Sequence, residues 1–283
     1  MEAHDILTRL DRIGDLPTLS PVAARVNRML QDPDTSIRKL SETIEKDQPI
    51  TARMLKLVNS AFFGMPSRVG NIPHALVLLG FNTVRNAVLS ISIINAFSPK
   101  KILDGFDMKE FWRHSIAVAV TSKHLAEKTR LHPPDDSFTG GLLHYIGKFV
   151  LSQYFPDLFG KVWTSSKENH LSFIEAEKRE MPLTHAQIGA HLASKWRLPA
   201  GLTDSIRYHH AVKKSVEQPG LMMIINAADG IVNEFIHGSN GSRLAAIHPD
   251  ARVAMGQALE KVSDWFPGVL EEIESACIFF LKE

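Results

Sequence analysis

Helical periodicity is the feature that most restricts how this chain can fold. Apolar residues recur every three or four positions through most of the sequence, whereas the alternation typical of β-strands is nearly absent. Short segments are separated by proline, aspartate and glycine, and Ser20 before Pro21 or Asp47 before Pro49 is suited to cap the start of a helix. The pattern therefore predicts an all-α fold of many short helices joined by tight turns.

A boundary that follows one long apolar segment divides the predicted fold into two helical lobes. Residues 81–97 are apolar on most faces of a helix, which predicts a central position in the protein. Pro99 follows shortly after and is typical of a boundary. We predict a two-lobed helical bundle with lobes over about 12–100 and 101–212, and a C-terminal helical region over 213–283 that packs on the second lobe and completes it.

The segment 140–151, GGLLHYIGKFVL, places polar side chains inside an apolar run. The run predicts one continuous buried helix that ends at Tyr154, with His144 inside it. A buried polar group without a partner costs on the order of a few kcal/mol, so His144 needs a polar partner. Lys148 follows four residues later and is predicted to share the helical face of His144.

Further histidines and one acid are candidates for a metal site. The chain has 13 histidines in 283 residues, which is about twice the average usage. The candidates besides His144 are His114, His185, His209, His210 and Asp229. A single histidine on an apolar face is most often a core residue bonded to a carbonyl oxygen. Several imidazoles and a carboxylate that converge in a helical bundle, however, are a common way to hold divalent metals.

Composition and charge exclude several classes of function. The net charge of +1 gives no support for non-specific nucleic-acid binding, and Cys277 as the only cysteine excludes an intrachain disulfide. The N-terminus lacks the cationic start and apolar core of a signal peptide. The longest apolar run, over 87–97, is shorter than the roughly 20 residues of a membrane span. We therefore expect a cytoplasmic protein that binds neither nucleic acid nor a membrane.

Two sets of motifs resemble known families. The series that starts at His114, continues through GLLHYIGK and ends at Asp229 resembles the HD superfamily of metal-dependent phosphohydrolases. The segments LPTLSPVAARVNRML, DPDTSIRKLSETIEKDQPITARMLKLVNSAFFG and IPHALVLLGFNTVRNAV are similar to the HDOD domain, a bacterial, all-helical relative found in signalling proteins. FWRHSIAVAV and IGAHLASKWRLPAGLTDSIRYHH fit it too, so the resemblance covers about residues 16–210.

The resemblance implies a role for each candidate residue. It assigns a first metal to His114, His144 and Asp229, a second to His185, His209 and His210, and a phosphate contact to Lys148. The expected cofactor is an iron or manganese ion. Tyr145 stands where the family has an aspartate that bridges both ions. A tyrosine with its usual pKa of about 10 is mostly a neutral phenol and cannot bridge in the same way.

Two functions from different classes follow from these residues. The favoured hypothesis is a signalling module without efficient catalysis, whose HD-like site binds a protein partner or a small regulator such as a nucleotide. The alternative is a phosphohydrolase for phosphomonoesters or phosphodiesters that uses one metal held by His114, His144 and Asp229. The sequence after His210 lacks the Gly-Tyr-Pro signature of the cyclic di-GMP phosphodiesterase branch. A structural or nucleic-acid adaptor is disfavoured by the near-neutral charge.

Overall fold

The part of the chain that the computed structural model describes consists of helices joined by turns and loops. The described residues are 2–14, 16–30, 32, 34–60, 65, 67–97, 107–213, 215–216, 218–238 and 242–281. No strand occurs within these ranges. The prediction of an all-α fold is therefore confirmed.

The helices follow one another in three groups along the chain. The first lobe contains α1 (Ala3–Arg12), α2 (Pro21–Met29), α3 (Ile37–Glu45), α4 (Gln48–Val58) and α5 (Ile72–Ala96). The second lobe contains α6 (Met108–Thr129), α7 (Pro134–Leu143), α8 (Ile146–Tyr154), α9 (Pro156–Glu168), α10 (Phe173–Glu180), α11 (His185–Lys195) and α12 (Ala200–Tyr208). The C-terminal region contains α13 (Pro219–Phe235), α14 (Ser242–Ala245), α15 (Pro249–Met255), α16 (Gln257–Glu260) and α17 (Val262–Leu281).

Side-chain caps start the short helices of the first lobe where the sequence predicts them. Ser20 Oγ accepts a hydrogen bond from the backbone N–H of Ala23 at 3.1 Å, and Asp47 Oδ1 accepts one from Ile50 at 3.0 Å. Each cap satisfies a backbone donor that the first helical turn leaves unpaired, which is typically worth about 1 kcal/mol. The local sequence thus determines where these helices begin.

Helix α5 is the central helix of the first lobe and bends at Gly80. The backbone of Gly80 has φ 81° and ψ 169°, a conformation that residues with a Cβ atom avoid. Beyond the bend, Val84, Val88 and Ile93 are fully buried, as predicted for a central helix. Among the described residues, α5 alone has the length and hydropathy of a membrane span, and 56% of that window is buried inside the protein.

The segment 140–151 forms parts of two helices, so the prediction of one continuous helix was wrong. His144 and Tyr145 separate α7 from α8, and Tyr145 has φ −102° and ψ 10°. Nδ1 of His144 bonds the carbonyl oxygen of Gly141 at 2.6 Å. That oxygen is the acceptor that the N–H of Tyr145 would reach in a continuous helix. The helix is interrupted here because a side chain competes with the backbone for this acceptor.

Helix α6 is the centre of the second lobe. Helices α7, α13 and α17 pack against it, while α11 packs between α8 and α12. Helix α13 also contacts α7 and α12, so the chain after residue 212 lies directly against the second lobe. The division into a domain over 12–212 and a region over 213–283 stays a prediction.

Polar bonds between α5 and the start of α7 join the two lobes. Asp136 Oδ1 accepts hydrogen bonds from Arg85 Nη2 at 2.9 Å and from Asn86 Nδ2 at 2.7 Å. Residues 98–106, which contain the predicted boundary between the lobes, lie outside the described residues. Helix α7, which leads into the candidate site, is therefore oriented in part by its contact with the first lobe.

Replacing Asp136 with alanine is expected to lower the free energy of unfolding by about 2 kcal/mol, because a mostly buried guanidinium and an amide lose their acceptor. The side chains of Arg85 and Asp136 are only 12% and 23% exposed. The matched control is Glu42→Ala, which removes an ion pair with Arg38 in which the side chains are 61% and 84% exposed. This control is expected to cost less than about 0.5 kcal/mol. Equally small losses in urea denaturation would contradict a role for Asp136 in joining the lobes.

Candidate functional site

The predicted ligands come together from helices that are distant in the sequence. His114 lies in α6, His185 is the first residue of α11, and Asp229 lies in α13. His144 lies at the junction of α7 and α8, and His209 directly follows α12. Their ligand atoms form two groups, each within 4.8 Å, of which the first is His114, His144 and Asp229 and the second is His185, His209 and His210. The grouping is the one that the family resemblance implies, while metal binding itself stays a prediction.

The first group joins two imidazoles to one carboxylate. His114 Nε2 lies 3.1 Å from Asp229 Oδ1, and His144 Nε2 lies 3.8 Å from the same oxygen, too far for a hydrogen bond. Burial lowers the pKa of His144. Because Nδ1 of this neutral ring donates to Gly141, its Nε2 carries a lone pair. This buried nitrogen has no hydrogen-bond partner among the described residues, and an orphaned atom of this kind fits a metal ligand.

The second group consists of three imidazoles whose nitrogen atoms face one another. His185 Nε2 lies 3.2 Å from His209 Nε2 and 3.3 Å from His210 Nε2. Nδ1 of His209 donates to the carbonyl oxygen of Ile206 at 2.7 Å, so Nε2 of His209 carries a lone pair. Two imidazole nitrogens at this distance repel each other unless a proton or a cation lies between them. The group therefore suits a metal ion.

Burial keeps the second group neutral, whereas the neighbouring imidazoles keep the aspartate of the first group ionised. It lowers the pKa of His185 and His209 well below the usual value and that of His210 to about 3. For Asp229, burial acts to raise the pKa, but the hydrogen bond from His114 and the neighbouring imidazole hold that pKa well below its usual value. Neutral imidazole and ionised carboxylate are the states in which these groups bind metals.

Glu177 is a buried acid behind His185 that the sequence analysis missed. Its Oε2 lies 2.7 Å from His185 Nδ1, and its Oε1 accepts the backbone N–H of His185 at 2.9 Å. Burial raises the pKa of Glu177 to about 8, against the opposing effect of the Lys148 charge. The sequence signal that could have identified Glu177 was its position four residues after Phe173, which places it on the inner face of α10. An acid behind a ligating histidine orients the ring.

Two other polar residues missed by the sequence analysis hold the first group in place. Asn233 Nδ2 donates to Asp229 Oδ1 at 2.8 Å, and its position one helical turn after Asp229 could have indicated this contact. His237 Nε2 lies 3.2 Å from His114 Nδ1, and no sequence pattern pointed to it. Each of these residues bonds a candidate ligand and so restricts its orientation.

Tyr145 lies between the two groups. Its hydroxyl donates to the carboxylate of Asp229, with distances of 3.3 Å to Oδ1 and 3.2 Å to Oδ2. Its ring stacks on that of His114 with a centroid distance of 5.1 Å and an interplanar angle of 12°, and it lies 5.1 Å from the ring of His185. Tyr145 thus contacts both groups and supplies a hydrogen bond at the position where the resemblance to the HD superfamily implies a bridging carboxylate.

A cavity of about 350 Å³ opens beside the two groups. Its wall includes His114, Tyr145, His210 and Asp229. Lys148 and Lys178 line the same cavity, and Lys148 Nζ lies 3.1 Å from the centroid of the Tyr145 ring. Lys148 therefore reaches the candidate site from α8, although the interruption at His144 places the two residues in different elements.

The fold and the site together define an HD-like all-helical protein, since five histidines and one aspartate from distant parts of the chain meet in two groups among its helices. Residues 16–212 match the HDOD domain family. The chain belongs to this family, and the resemblance stated from its motifs is confirmed.

Similarity to individual proteins supports the same classification. A 211-residue segment, 74% of this chain, is 28% identical to an uncharacterised protein of Treponema pallidum (strain Nichols), of which it spans 40%. The fold is similar to that of an HDOD domain protein of unknown function from Geobacter sulfurreducens, with a TM-score of 0.80, 24% identity and 98% of both chains covered. It is also similar to a candidate phosphohydrolase from Shewanella amazonensis SB2B, with a TM-score of 0.73 and 27% identity over 94% of this chain and 97% of that one.

Proposed function

We propose that this protein is a signal-transduction module whose HD-type site binds a small regulator or a protein partner without efficient catalysis. The observation that carries the proposal is the position of Tyr145, which lies between the two ligand groups and bonds Asp229. The chain belongs to the HDOD family, and the resemblance described from its motifs links this domain to signalling proteins, which supports the same class of function.

The charges of the site argue against a bridged pair of metal ions. Two divalent ions carry four positive charges, and the candidate ligands include a single carboxylate, that of Asp229. In two-metal hydrolases the ions lie about 3.5–4 Å apart and hold the attacking and departing oxygens. The phenol of Tyr145 does not offset the repulsion between ions at that distance as a bridging carboxylate does. Efficient two-metal hydrolysis is therefore not expected.

The cavity suits a small anionic regulator. Lys148 and Lys178 line it together with the apolar side chains of Ile174 and Ile247. Ammonium groups attract phosphate and carboxylate groups, while the apolar wall offers contact to an uncharged part of the same molecule. A nucleotide has both parts, which supports a nucleotide as the small regulator. A partner protein in a signalling pathway would then recognise this protein when the regulator is bound in the cavity.

Wild-type protein supplied with iron(II), manganese(II) or zinc(II) is expected to hydrolyse p-nitrophenyl phosphate and bis(p-nitrophenyl) phosphate no faster than the His144→Ala variant. The reason is the missing bridging carboxylate. Release of p-nitrophenol, followed by its absorbance, measures the rate. His74→Ala is the matched control, because His74 is an exposed histidine outside the site. Turnover that survives in His74→Ala and is lost in His144→Ala would contradict the proposal.

One observation favours a second function, that of a metal-dependent phosphohydrolase. The unpartnered Nε2 of His144, together with His114 and Asp229, offers three ligands for one ion. An ion held there would supply an activated water, and Lys148 on the cavity wall would contact the phosphate of a monoester or diester. Hydrolysis that requires His144 and is weakened in Lys148→Ala would establish this function in place of the first.

A further inference from the structure

The second ligand group has the donor set of a zinc site. His185, His209 and His210 supply three imidazole nitrogens and no carboxylate. Imidazole ligands suit zinc, copper, iron and nickel, whereas magnesium and manganese favour oxygen ligands, so the spacing of the nitrogens must distinguish zinc from iron. Three protein ligands with a fourth position left open are the arrangement of catalytic and ligand-binding zinc sites. We propose that these histidines form a mononuclear zinc site whose fourth position faces the cavity, rather than half of an iron or manganese pair.

The distances between the nitrogens fit a four-coordinate ion. With Zn–N bonds of about 2.0–2.1 Å, tetrahedral ligands lie about 3.3–3.4 Å apart, whereas ligands at right angles lie about 2.9 Å apart. His185 Nε2 lies 3.2 Å from His209 Nε2 and 3.3 Å from His210 Nε2. Both distances are closer to the tetrahedral value. His185 can therefore share such an ion with His209 or with His210 with little rearrangement of its side chain.

Buried hydrogen bonds orient two of the three rings. Glu177 Oε2 lies 2.7 Å from His185 Nδ1, and the carbonyl oxygen of Ile206 lies 2.7 Å from His209 Nδ1. His185 and His209 are fully buried, so each ring is held with its Nε2 toward the group. Partners of this kind typically contribute about 10–100-fold to metal affinity.

The third histidine shows where the open position points. His210 lines the cavity, whereas His185 and His209 are fully buried. Lys148 and Lys178 line the same cavity. The fourth ligand is therefore water or an anion such as inorganic phosphate, whose charge the two lysines would offset.

Tyr145 separates the zinc site from the first ligand group. Asp229 accepts hydrogen bonds from Tyr145 and Asn233 and lies 3.1 Å from His114 Nε2, so partners other than the three histidines of the zinc site hold its carboxylate. The zinc site therefore loads independently of the first group. This step rests on the proposed function, in which no carboxylate bridges two ions.

Cobalt(II) is the probe for this site, because a four-coordinate cobalt ion absorbs visible light strongly and a six-coordinate one only weakly. Metal-free protein titrated with cobalt(II) is expected to develop strong visible bands that saturate at one equivalent. The bands are expected to persist in His114→Ala and to disappear in His210→Ala. Glu177→Gln is expected to keep their shape and to weaken cobalt binding by about 10–100-fold.

Weak bands alone, or loss of the bands in His114→Ala, would overturn the zinc site. Far-ultraviolet circular dichroism checks that each variant is folded, and His210→Asn replaces His210→Ala if the latter unfolds. The hydrolysis assay gives a separate answer. Turnover that depends on His144 would overturn the proposed function, whereas strong cobalt bands that depend on His210 and not on His114 would still establish the zinc site.

Discussion

Replacing Gly147 with alanine is expected to destabilise the protein by about 3 kcal/mol, at the upper end of the usual cost of overpacking. A Cβ atom at this position would overlap the carbonyl oxygen of His185 and lie 2.8 Å from the backbone nitrogen of Gly189. Both atoms belong to the backbone of α11, which cannot rotate away as a side chain can, so α8 and α11 would have to separate. Because His185 starts α11, the separation would also displace the second ligand group.

The matched control for Gly147→Ala is Gly160→Ala. Gly160 lies inside α9, and a Cβ atom there would meet no atom within 4 Å. This substitution is expected to stabilise the protein by about 0.5–1 kcal/mol, since alanine favours a helix over glycine. Guanidinium denaturation followed by circular dichroism measures both variants. A Gly147→Ala variant as stable as the wild type would show that α8 and α11 are not held by this close backbone contact.

The second large effect is expected from Tyr145→Asp, which should produce metal-dependent hydrolysis of bis(p-nitrophenyl) phosphate. The substitution places a carboxylate between the two ligand groups, where the phenol now bonds Asp229. An added carboxylate would offset the repulsion between two ions and allow both to act on one phosphate. A rate about 100-fold above that of the wild type is expected, which is the typical effect of one positioned group that stabilises charge in a transition state.

Tyr145→Phe is the control for this experiment. It removes the hydroxyl that bonds Asp229 but adds no carboxylate, so it is expected to remain inactive. If Tyr145→Phe were as active as Tyr145→Asp, loss of the hydrogen bond rather than gain of a bridge would explain the activity. A folded, metal-loaded Tyr145→Asp variant without turnover would show that Tyr145 is not what prevents catalysis.

The fold was largely predictable because its causes are local. Ser20 and Asp47 cap their helices through bonds to residues three positions later, and such contacts follow from the sequence alone. The wrongly predicted continuous helix shows the limit of this reasoning. Periodicity reports which residues are apolar, but it does not report that the imidazole of His144 bonds the carbonyl oxygen of Gly141.

The candidate site was predictable in part. Its six candidate ligands were recognised because their order resembles that of a known family, and the structure brings all six together. Glu177 and His237 were not recognised, because each bonds a histidine that belongs to a different helix. Contacts of this kind depend on how two helices meet, and one sequence does not contain that information.

The sequence by itself determined where most helices begin, which residues are apolar enough to form the core, and which side chains are chemically able to bind a metal. Only the tertiary structure decided that His114 and Asp229, 115 residues apart in the chain, lie 3.1 Å apart. It also decided that Tyr145 lies between the two ligand groups. The physical reason is that helix propensity and capping act within a few residues, whereas these distances are set by the packing of α13 against α6 and of α11 against α8.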